Sequence, residues 1–179
     1  GRGIDDTVFM LSDGELYQAV AQAKGDWEKW LSTYGKLCDS SMVARFIISC
    51  ALAAPLLERV GFKGSPLVLL YGSRGSGKST LMRFAASVWG NDNFLYPCNG
   101  TLNGFELRAK LLSGLPFFLD DVQLMRSRPD FNEFMQSFIY MLFNGYGKQR
   151  ATKELGSAML NRWQTLNILS GETGAGKSI

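Results

Sequence analysis

The stretch LVLLYGSRGSGKST, residues 67–80, decides how the rest of this 179-residue sequence is interpreted. Residues 72–79 fit the phosphate-loop pattern G-x-x-x-x-G-K-[ST]. The pattern lies between an apolar run (67–71), typical of a buried parallel strand, and an amphipathic run (79–89), typical of a helix. Glycines let successive backbone N–H groups face an anion, and the helix dipole favours negative charge there. The sequence therefore predicts a site for a nucleoside triphosphate.

Each part of this loop has an expected task. Lys78 is expected to reach the β- and γ-phosphates of ATP and so to take part in catalysis, while the Ser79 hydroxyl is expected to ligate Mg²⁺. The residues predicted to contact the nucleotide are Gly72, Ser73, Arg74, Gly75, Ser76, Gly77, Lys78, Ser79 and Thr80.

A second motif, LPFFLDD at residues 115–121, reads as a hydrophobic strand that ends in two carboxylates. A carboxylate beyond the C-terminal end of such a strand points toward the γ-phosphate. We assign Asp120 to the Mg²⁺ shell and Asp121 to polarising the attacking water. The alternative is an Asp-rich turn with no role in catalysis, because two aspartates after an apolar run are a weak motif alone.

Periodicity and end signals predict the remaining elements. Their predicted bounds are a helix over 14–36, a helix from Ser40 or Ser41 to about 60, a strand over 94–97, a helix from Asn103 with a capping box to Glu106, a helix from Pro129 to Asn144, and a strand over 163–170. The helix from Asn103 is expected to present Phe105, Leu107, Leu111 and Leu112 on its apolar face. The aromatic stripe of the helix from Pro129 is interpreted as core; it consists of Phe131, Phe134, Met135, Phe138, Ile139 and Leu142.

Composition places the chain among folded globular proteins, with 46% hydrophobic and 20% charged residues. Three widely spaced cysteines and no histidine argue against a disulfide framework or a zinc site, and a reducing cytoplasm fits best. The longest apolar run, 46–57, has 12 residues, too few to span a bilayer. The first residues lack a signal-peptide profile, so no membrane association is expected.

Positive charge is concentrated in residues 146–162, which have an excess of three charges, as large as the net charge of +3 of the whole chain. The alternating pattern in this segment suits an exposed β-hairpin. Lys148, Arg150 and Lys153 are the predicted contacts to the phosphates of single-stranded DNA. A solvated surface turn is the alternative, since short runs of charge often serve solubility alone.

Residues 171–178 match the phosphate-loop pattern a second time, directly after the predicted strand 163–170. A working loop must open a helix, and the sequence ends at Ile179 without one. We therefore interpret Ser170 and Glu172 as polar groups at a strand end beside the first site, with Ser170 contributing to catalysis.

Four stretches together resemble the "domain of unknown function 927" family of phage, plasmid and chromosomal-island proteins. They are YGSRGSGKSTLMRFAASVWG, NGTLNGFELRAKLLSGLPFFLDDVQ, FNGYGKQRA and RWQTLNILSGE, within about residues 43–173. That family is similar to AAA+ and superfamily 3 helicase ATPases. Members often have Glu at the position of Asp121, and this departure weakens the assignment of its role.

The resemblance implies a three-layer α/β/α P-loop NTPase core with a parallel sheet, ATP and Mg²⁺ as ligands, and a homo-oligomeric ring. The implied organisation is an N-terminal helical extension over 1–42 and a core over 43–179 that stops before a fifth strand and a lid.

The leading hypothesis for function couples ATP hydrolysis to movement along single-stranded DNA. A regulatory or sensor ATPase that acts on a protein partner is the alternative. A small-molecule kinase is disfavoured, because the sequence offers no residues for an acceptor pocket.

Overall fold

The computed structural model describes residues 25–147 and 161–172 of the chain. In these ranges the helices are α1 (Trp27–Ser40), α2 (Met42–Ala53), α3 (Lys78–Ala86), α4 (Leu102–Leu111) and α5 (Phe131–Asn144). The strands are β1 (Leu67–Gly72), β2 (Leu95–Pro97), β3 (Pro116–Asp120) and β4 (Leu166–Glu172). Short 3₁₀ turns lie at Ala54–Leu56, Asp92–Phe94 and Val122–Met125. None of the helices described is long and apolar enough to cross a membrane.

The four strands form one parallel sheet in the order β1-β4-β3-β2. The last strand in sequence is thus inserted between β1 and β3, with Leu169 beside both Leu69 and Leu119. Because parallel strands end at the same edge of a sheet, Gly72, Asp120 and Ser170 are brought to one edge. This is the edge at which such sheets bind ligands.

Helices cover both faces of the sheet. From β1 the chain crosses the sheet to β2 at the far edge, and it then returns in the opposite direction to β3 and β4. Because crossovers between parallel strands are right-handed, α3 lies on one face of the sheet and α4 and α5 lie on the other. On the first face α3 packs against α2. On the second, Phe105 of α4 and Phe138 of α5 have ring centroids 4.8 Å apart. The predicted three-layer α/β/α fold is confirmed.

The core lies between these layers. Phe117, Phe118 and Leu119 of β3 are fully buried, as is Ile168 of β4. Strands buried on both faces read as continuous apolar runs, and this explains why β3 could be found from its sequence alone. The stripe on α5 also proves to be core: Phe134, Met135, Phe138 and Leu142 are buried, and Phe131 and Ile139 pack against the core.

Helix α1 is joined to the core by an aromatic contact. The Trp30 ring stacks on Phe84 of α3 at a centroid distance of 5.5 Å, and its Nε1 donates a hydrogen bond to Ser87 Oγ at 2.8 Å. The helical segment before the strands therefore packs on the helix that follows the phosphate loop. The proposed division of the chain at residue 42 stays a prediction.

Several predicted helices differ in their bounds. The helix predicted over 14–36 corresponds, within the described residues, to α1, which begins at Trp27 after the N-cap Asp26 and continues to Ser40. Helix α2 begins after Ser41, whose Oγ accepts from Ala44 N, but it ends at Ala53 rather than near 60. Pro55 follows in a 3₁₀ turn, because proline cannot donate to a continuing helix. Helix α5 begins at Phe131, two residues after Pro129, and ends as predicted at Asn144, followed by Gly145 with φ of 70°.

The predicted capping box of α4 is wrong. The N-cap residue is Thr101, whose Oγ accepts a hydrogen bond from Gly104 N at 3.1 Å, and not Asn103. Glu106 is buried and accepts from Asn161 Nδ2 at 2.8 Å, so a tertiary contact outcompetes the local cap. The apolar face also differs, because Leu107 is exposed.

Strand β4 begins at Leu166, three residues later than predicted. The preceding backbone is bonded elsewhere: Trp163 N donates to Gly145 O at 2.9 Å and Gln164 N to Ser113 Oγ at 3.0 Å. The N–H groups of Trp163 and Gln164 are therefore not available for hydrogen bonds between strands of the sheet.

Candidate nucleotide-binding site

The loop between β1 and α3 has the backbone that anion binding needs. Gly75 and Gly77 have φ of 76° and 84°, which side chains disfavour. Gly77 is the N-cap of α3, and no side chain of the described residues caps this helix, so its first N–H groups remain directed at the loop. The loop therefore offers backbone donors and the positive end of a helix dipole to an anion.

The side chain of Lys78 bonds to the backbone of this same loop. Its Nζ donates to Gly72 O at 3.1 Å and to Ser73 O at 2.8 Å. A Cβ added at Gly72 would lie 3.3 Å from Ser76 Oγ, so the loop is closely packed at its start. The ammonium is thus held at the centre of the loop, where its charge adds to that of the backbone donors.

Two serines meet on one carboxylate at the edge of the sheet. Ser79 Oγ, from the first turn of α3, donates to Asp120 Oδ1 at 3.1 Å. Ser170 Oγ, at the end of β4, donates to the same oxygen and accepts from Asp121 N at 2.8 Å. Ser170 therefore ties the ends of β3 and β4 together, with the predicted metal residues Ser79 and Asp120 in direct contact.

Asp121 follows β3 in an unusual backbone conformation. Its φ is 64°, and among the described non-glycine residues it alone has a positive φ. Left-handed backbone at a residue with a Cβ costs on the order of 1 kcal/mol, less for Asp and Asn than for most others. The carboxylate of Asp121 is exposed, while its N–H is held by Ser170.

Next to the two acids is an open cleft of about 540 Å³, bounded by Arg83, Asp92, Leu95, Pro97, Asp120, Asp121 and Leu124. Sequence reasoning did not find Arg83. The sequence feature that could have identified Arg83 is its position four residues after Ser79, which places both residues on the same face of α3.

Cys98 is fully buried near the acids, but it is no nucleophile. Burial, together with Asp121 and Asp120, raises the pKa of its thiol far above the ordinary range. The thiol therefore remains protonated and neutral at physiological pH.

Sequence reasoning also did not find Gln123, in the 3₁₀ turn after Asp121. Its Nε2 lies 3.4 Å from Glu172 O, and its buried Oε1 accepts no hydrogen bond from the residues that the structure describes. Gln123 therefore links this turn to the exposed end of β4.

The donor set fits Mg²⁺. The described residues contain no group of three or more His, Cys, Asp and Glu side chains that could form an all-protein metal cage. Mg²⁺ ordinarily takes only one or two protein oxygens and completes its shell with water and phosphate. Ser79 Oγ and Asp120 Oδ1, 3.1 Å apart beside the loop, are oxygens of this kind.

The predicted nucleic-acid contacts Lys148, Arg150 and Lys153 lie outside the described residues, as does the second loop pattern beyond Glu172. The two ends of the basic segment are described and are paired. Tyr146 and Arg162 form an antiparallel bridge, and Gly147 N donates to Asn161 O at 3.0 Å. Antiparallel ends are what the predicted hairpin requires.

The parallel sheet and the glycine-rich loop between β1 and α3 define an α/β fold of the P-loop NTPase class. The model of the family "Domain of unknown function (DUF927)" matches residues 3–159, and the chain belongs to this family. Its match includes the segment before residue 42.

A solved structure described as "SCCmec type IV Cch - active helicase" has a similar fold, with a TM-score of 0.66 and 20% sequence identity. The match covers 90% of this chain but 30% of that one, so the chain spans about a third of the length of its structural relative. No curated protein matches the sequence.

Proposed function

We propose that this chain binds and hydrolyses Mg²⁺-ATP as the ATPase core of a helicase-like or DNA-translocating replication protein of a mobile element. The observation that carries the proposal is the contact of Ser79 and Ser170 with Asp120 at the mouth of the Lys78 loop. The description of the structural relative as a helicase of SCCmec supports the same class of function.

In this proposal the loop 72–80 holds the phosphates. Backbone N–H groups at the start of α3 bind the phosphate oxygens, and Lys78 exchanges its bonds to loop carbonyls for bonds to the β- and γ-phosphates. Ser79 and Asp120 hold Mg²⁺. When bound there, the ion would neutralise part of the negative charge that the phosphates carry during hydrolysis.

Asp121 would polarise the attacking water. Its exposed carboxylate borders the cleft next to Asp120, as a group that accepts a proton from water must. Ser170 acts on both acids: its hydroxyl donates to Asp120 and accepts the N–H that fixes the backbone of Asp121. A change in the charge of the Asp120 carboxylate would therefore alter its hydrogen bond with Ser170, which lies at the end of β4.

The basic segment 146–162 is proposed to contact single-stranded DNA through Lys148, Arg150 and Lys153. Strand β4 begins four residues after Arg162, the end of this segment, and carries Ser170, so the chain connects the proposed DNA contact to the nucleotide site. A homo-oligomeric ring would place these segments around one strand. The alternative is a regulatory ATPase that does not move along DNA, and the test must distinguish it from a DNA-translocating protein.

The test compares ATP hydrolysis by the full-length protein with and without single-stranded DNA, together with DNA affinity at several salt concentrations. Alanine at Lys148, Arg150 and Lys153 should leave ATP binding intact, lower DNA affinity and make the salt dependence shallower, because fewer counterions are released. Alanine at the exposed Lys29, Lys36 and Lys63 removes the same charge elsewhere and serves as the control. Unchanged salt dependence in the first variant would favour the solvated-turn interpretation.

A further inference from the structure

The side of helix α2 that faces away from the sheet is apolar and exposed to solvent. Between Met42 and Leu57 the sequence contains a single charged residue, Arg45, whose guanidinium donates to Cys38 O at 2.7 Å. A helix that is hydrophobic on all sides is ordinarily buried on all sides. In this structure one side of α2 packs into the core, whereas Met42 is 83% and Phe46 56% exposed. The exposed side of α2 therefore lacks a partner among the described residues.

The exposed side chains are arranged as a seam along one line of the helix. Their spacings alternate between four and three residues, and they are Met42, Phe46, Ser49, Ala53, Leu56 and Val60. All of them are exposed except the partly buried Ala53. The helical path extends past the end of α2, because Val60 N donates to Leu56 O at 3.0 Å. A repeat of about 3.5 residues is typical of a helix that packs lengthwise against another helix, so this α2 seam fits a helical partner.

The α2 seam is large enough to form an interface. Together with Val43 and Leu52 on its flanks, it exposes roughly 600 Å² of apolar surface, against about 800 Å² that each partner contributes to a standard interface. Contiguous apolar surface of this extent on a protein marks a site of interaction. No residue proposed to bind ATP, Mg²⁺ or DNA belongs to the seam, so these ligands do not cover it.

The order of side-chain sizes along the seam matches a second copy of the same seam. Large side chains lie at both ends, and the small Ser49 and Ala53 lie in the middle. Two such seams that cross antiparallel at their middles bring small side chains together where the backbones are closest, at an interaxial distance of about 8–10 Å. A two-fold contact requires self-complementarity of this kind. The pairs formed between the two copies would be Ser49 with Ala53, Phe46 with Leu56, and Met42 with Val60.

Charge also favours a second copy in the antiparallel direction. The six residues of the seam carry no charge, so a second seam is not repelled. Arg45 lies near the start of the seam and Glu58 near its end, and both are exposed. Antiparallel pairing places Arg45 of one copy beside Glu58 of the other, whereas parallel pairing places like charges together. The pattern, the size and the charges of the seam therefore fit the same occupant.

We propose that the α2 seam is a homodimer contact, in which two copies of this chain pair antiparallel about a two-fold axis that passes between Ser49 and Ala53. The contact is separate from a ring, whose head-to-tail contacts join two different surfaces. It also does not depend on ATP binding, since no residue of the nucleotide site takes part. Cys50 lies next to the centre of the seam, so the two-fold axis brings the Cys50 thiols of both copies to the same side of the contact.

The test is cross-linking of the full-length protein with a short bismaleimide, which joins two thiols. The wild-type protein should give a covalent dimer on a denaturing gel. Cys50→Ser should abolish this dimer, because the other cysteines among the described residues, Cys38 and Cys98, are buried. Phe46→Glu should weaken dimerisation by about 30-fold or more in analytical ultracentrifugation, the usual effect of losing a central aromatic contact. The affinity of this variant for ATP should stay unchanged.

Two further variants separate this contact from general damage to the protein. Leu107→Glu places the same charge at an exposed leucine of α4, on the other face of the sheet, and should leave the dimer intact. Arg45→Glu should weaken the dimer, and adding Glu58→Arg should restore it. The two charges lie about 20 Å apart along the helical path within one copy, so they meet only between copies.

A wild-type protein that gives no cross-link through Cys50 would overturn the proposal. If Cys50 were then also unreactive toward a simple maleimide, a different partner or another part of the chain would cover the seam. A cross-link that survives Phe46→Glu, or a dimer that is lost equally in Leu107→Glu, would overturn the proposal as well.

Discussion

At the scale of single residues, Asp121 combines an exposed carboxylate with a left-handed backbone that Ser170 holds by its N–H. Strained backbone at a site is a reason to look for function there, because the surrounding structure has to stabilise it. The conformation also restricts which substitutions are informative. Asparagine tolerates a positive φ about as well as aspartate, so it removes the charge and leaves the backbone in place.

Asp121→Asn is expected to bind ATP normally and to hydrolyse it about 100-fold more slowly or worse, because a general base contributes a factor of this order. Calorimetry and phosphate release by the full-length protein measure the two quantities. Asp92→Asn, which removes a carboxylate from the same cleft, is the control and should hydrolyse ATP at nearly the normal rate. Equal rates for Asp121→Asn and the wild type would remove Asp121 from the mechanism.

The residues of this site differ in how far sequence could predict them. The phosphate loop and the acids after β3 are local motifs, so Lys78, Ser79 and Asp120 could be singled out without a structure. Ser170 could be placed at the correct edge from the rule for strand ends. Its hydrogen bonds to Asp120 and Asp121 could not be predicted, because they depend on β4 lying beside β3.

At the scale of elements, the ends of the basic segment are fixed to α4. Gly147 is buried with its Cα against the Glu106 carboxylate, and a Cβ there would overlap the carboxylate atoms. Glu106 is held in turn by Asn161. The capping box predicted for α4 was wrong for the same reason. Glu106 makes a long-range contact with Asn161, and Thr101 caps the helix instead.

Gly147→Ala is expected to lower the free energy of unfolding by about 1–3 kcal/mol, the usual cost of forcing atoms into a packed site. Gly35→Ala in α1 is the matched control: nothing lies within 4 Å of the added Cβ, and alanine should stabilise the helix by about 0.5–1 kcal/mol. Denaturant unfolding measures both. A stable Gly147→Ala protein would show that the segment is not anchored to α4.

At the scale of the whole molecule, the element types and the three layers follow from periodicity, because each strand is an apolar run between helical patterns. The positions of strand and helix ends were less predictable. β4 starts late because the backbone of Trp163 and Gln164 is bonded to Gly145 and Ser113, and no local signal marks those contacts.

One chain should bind one ATP. The first loop pattern opens α3, whose N-terminus phosphate binding needs, whereas the second pattern, at residues 171–178, begins within the last two residues of β4. Calorimetry on the full-length protein should give a stoichiometry of at most one per nucleotide core. Lys177→Ala should have little effect on it. Two nucleotides per core, with one lost on Lys177→Ala, would contradict the assignment of a single site.

The central claim is that the loop around Lys78 binds ATP, and the affinity of Lys78→Ala for Mg²⁺-ATP tests it most directly. Lys78 Nζ bonds only to loop atoms among the described residues, so its loss should leave the fold intact. Calorimetry should detect ATP binding by the wild type and none by a folded Lys78→Ala protein, with circular dichroism to establish folding. Unchanged affinity in the folded variant would contradict the account.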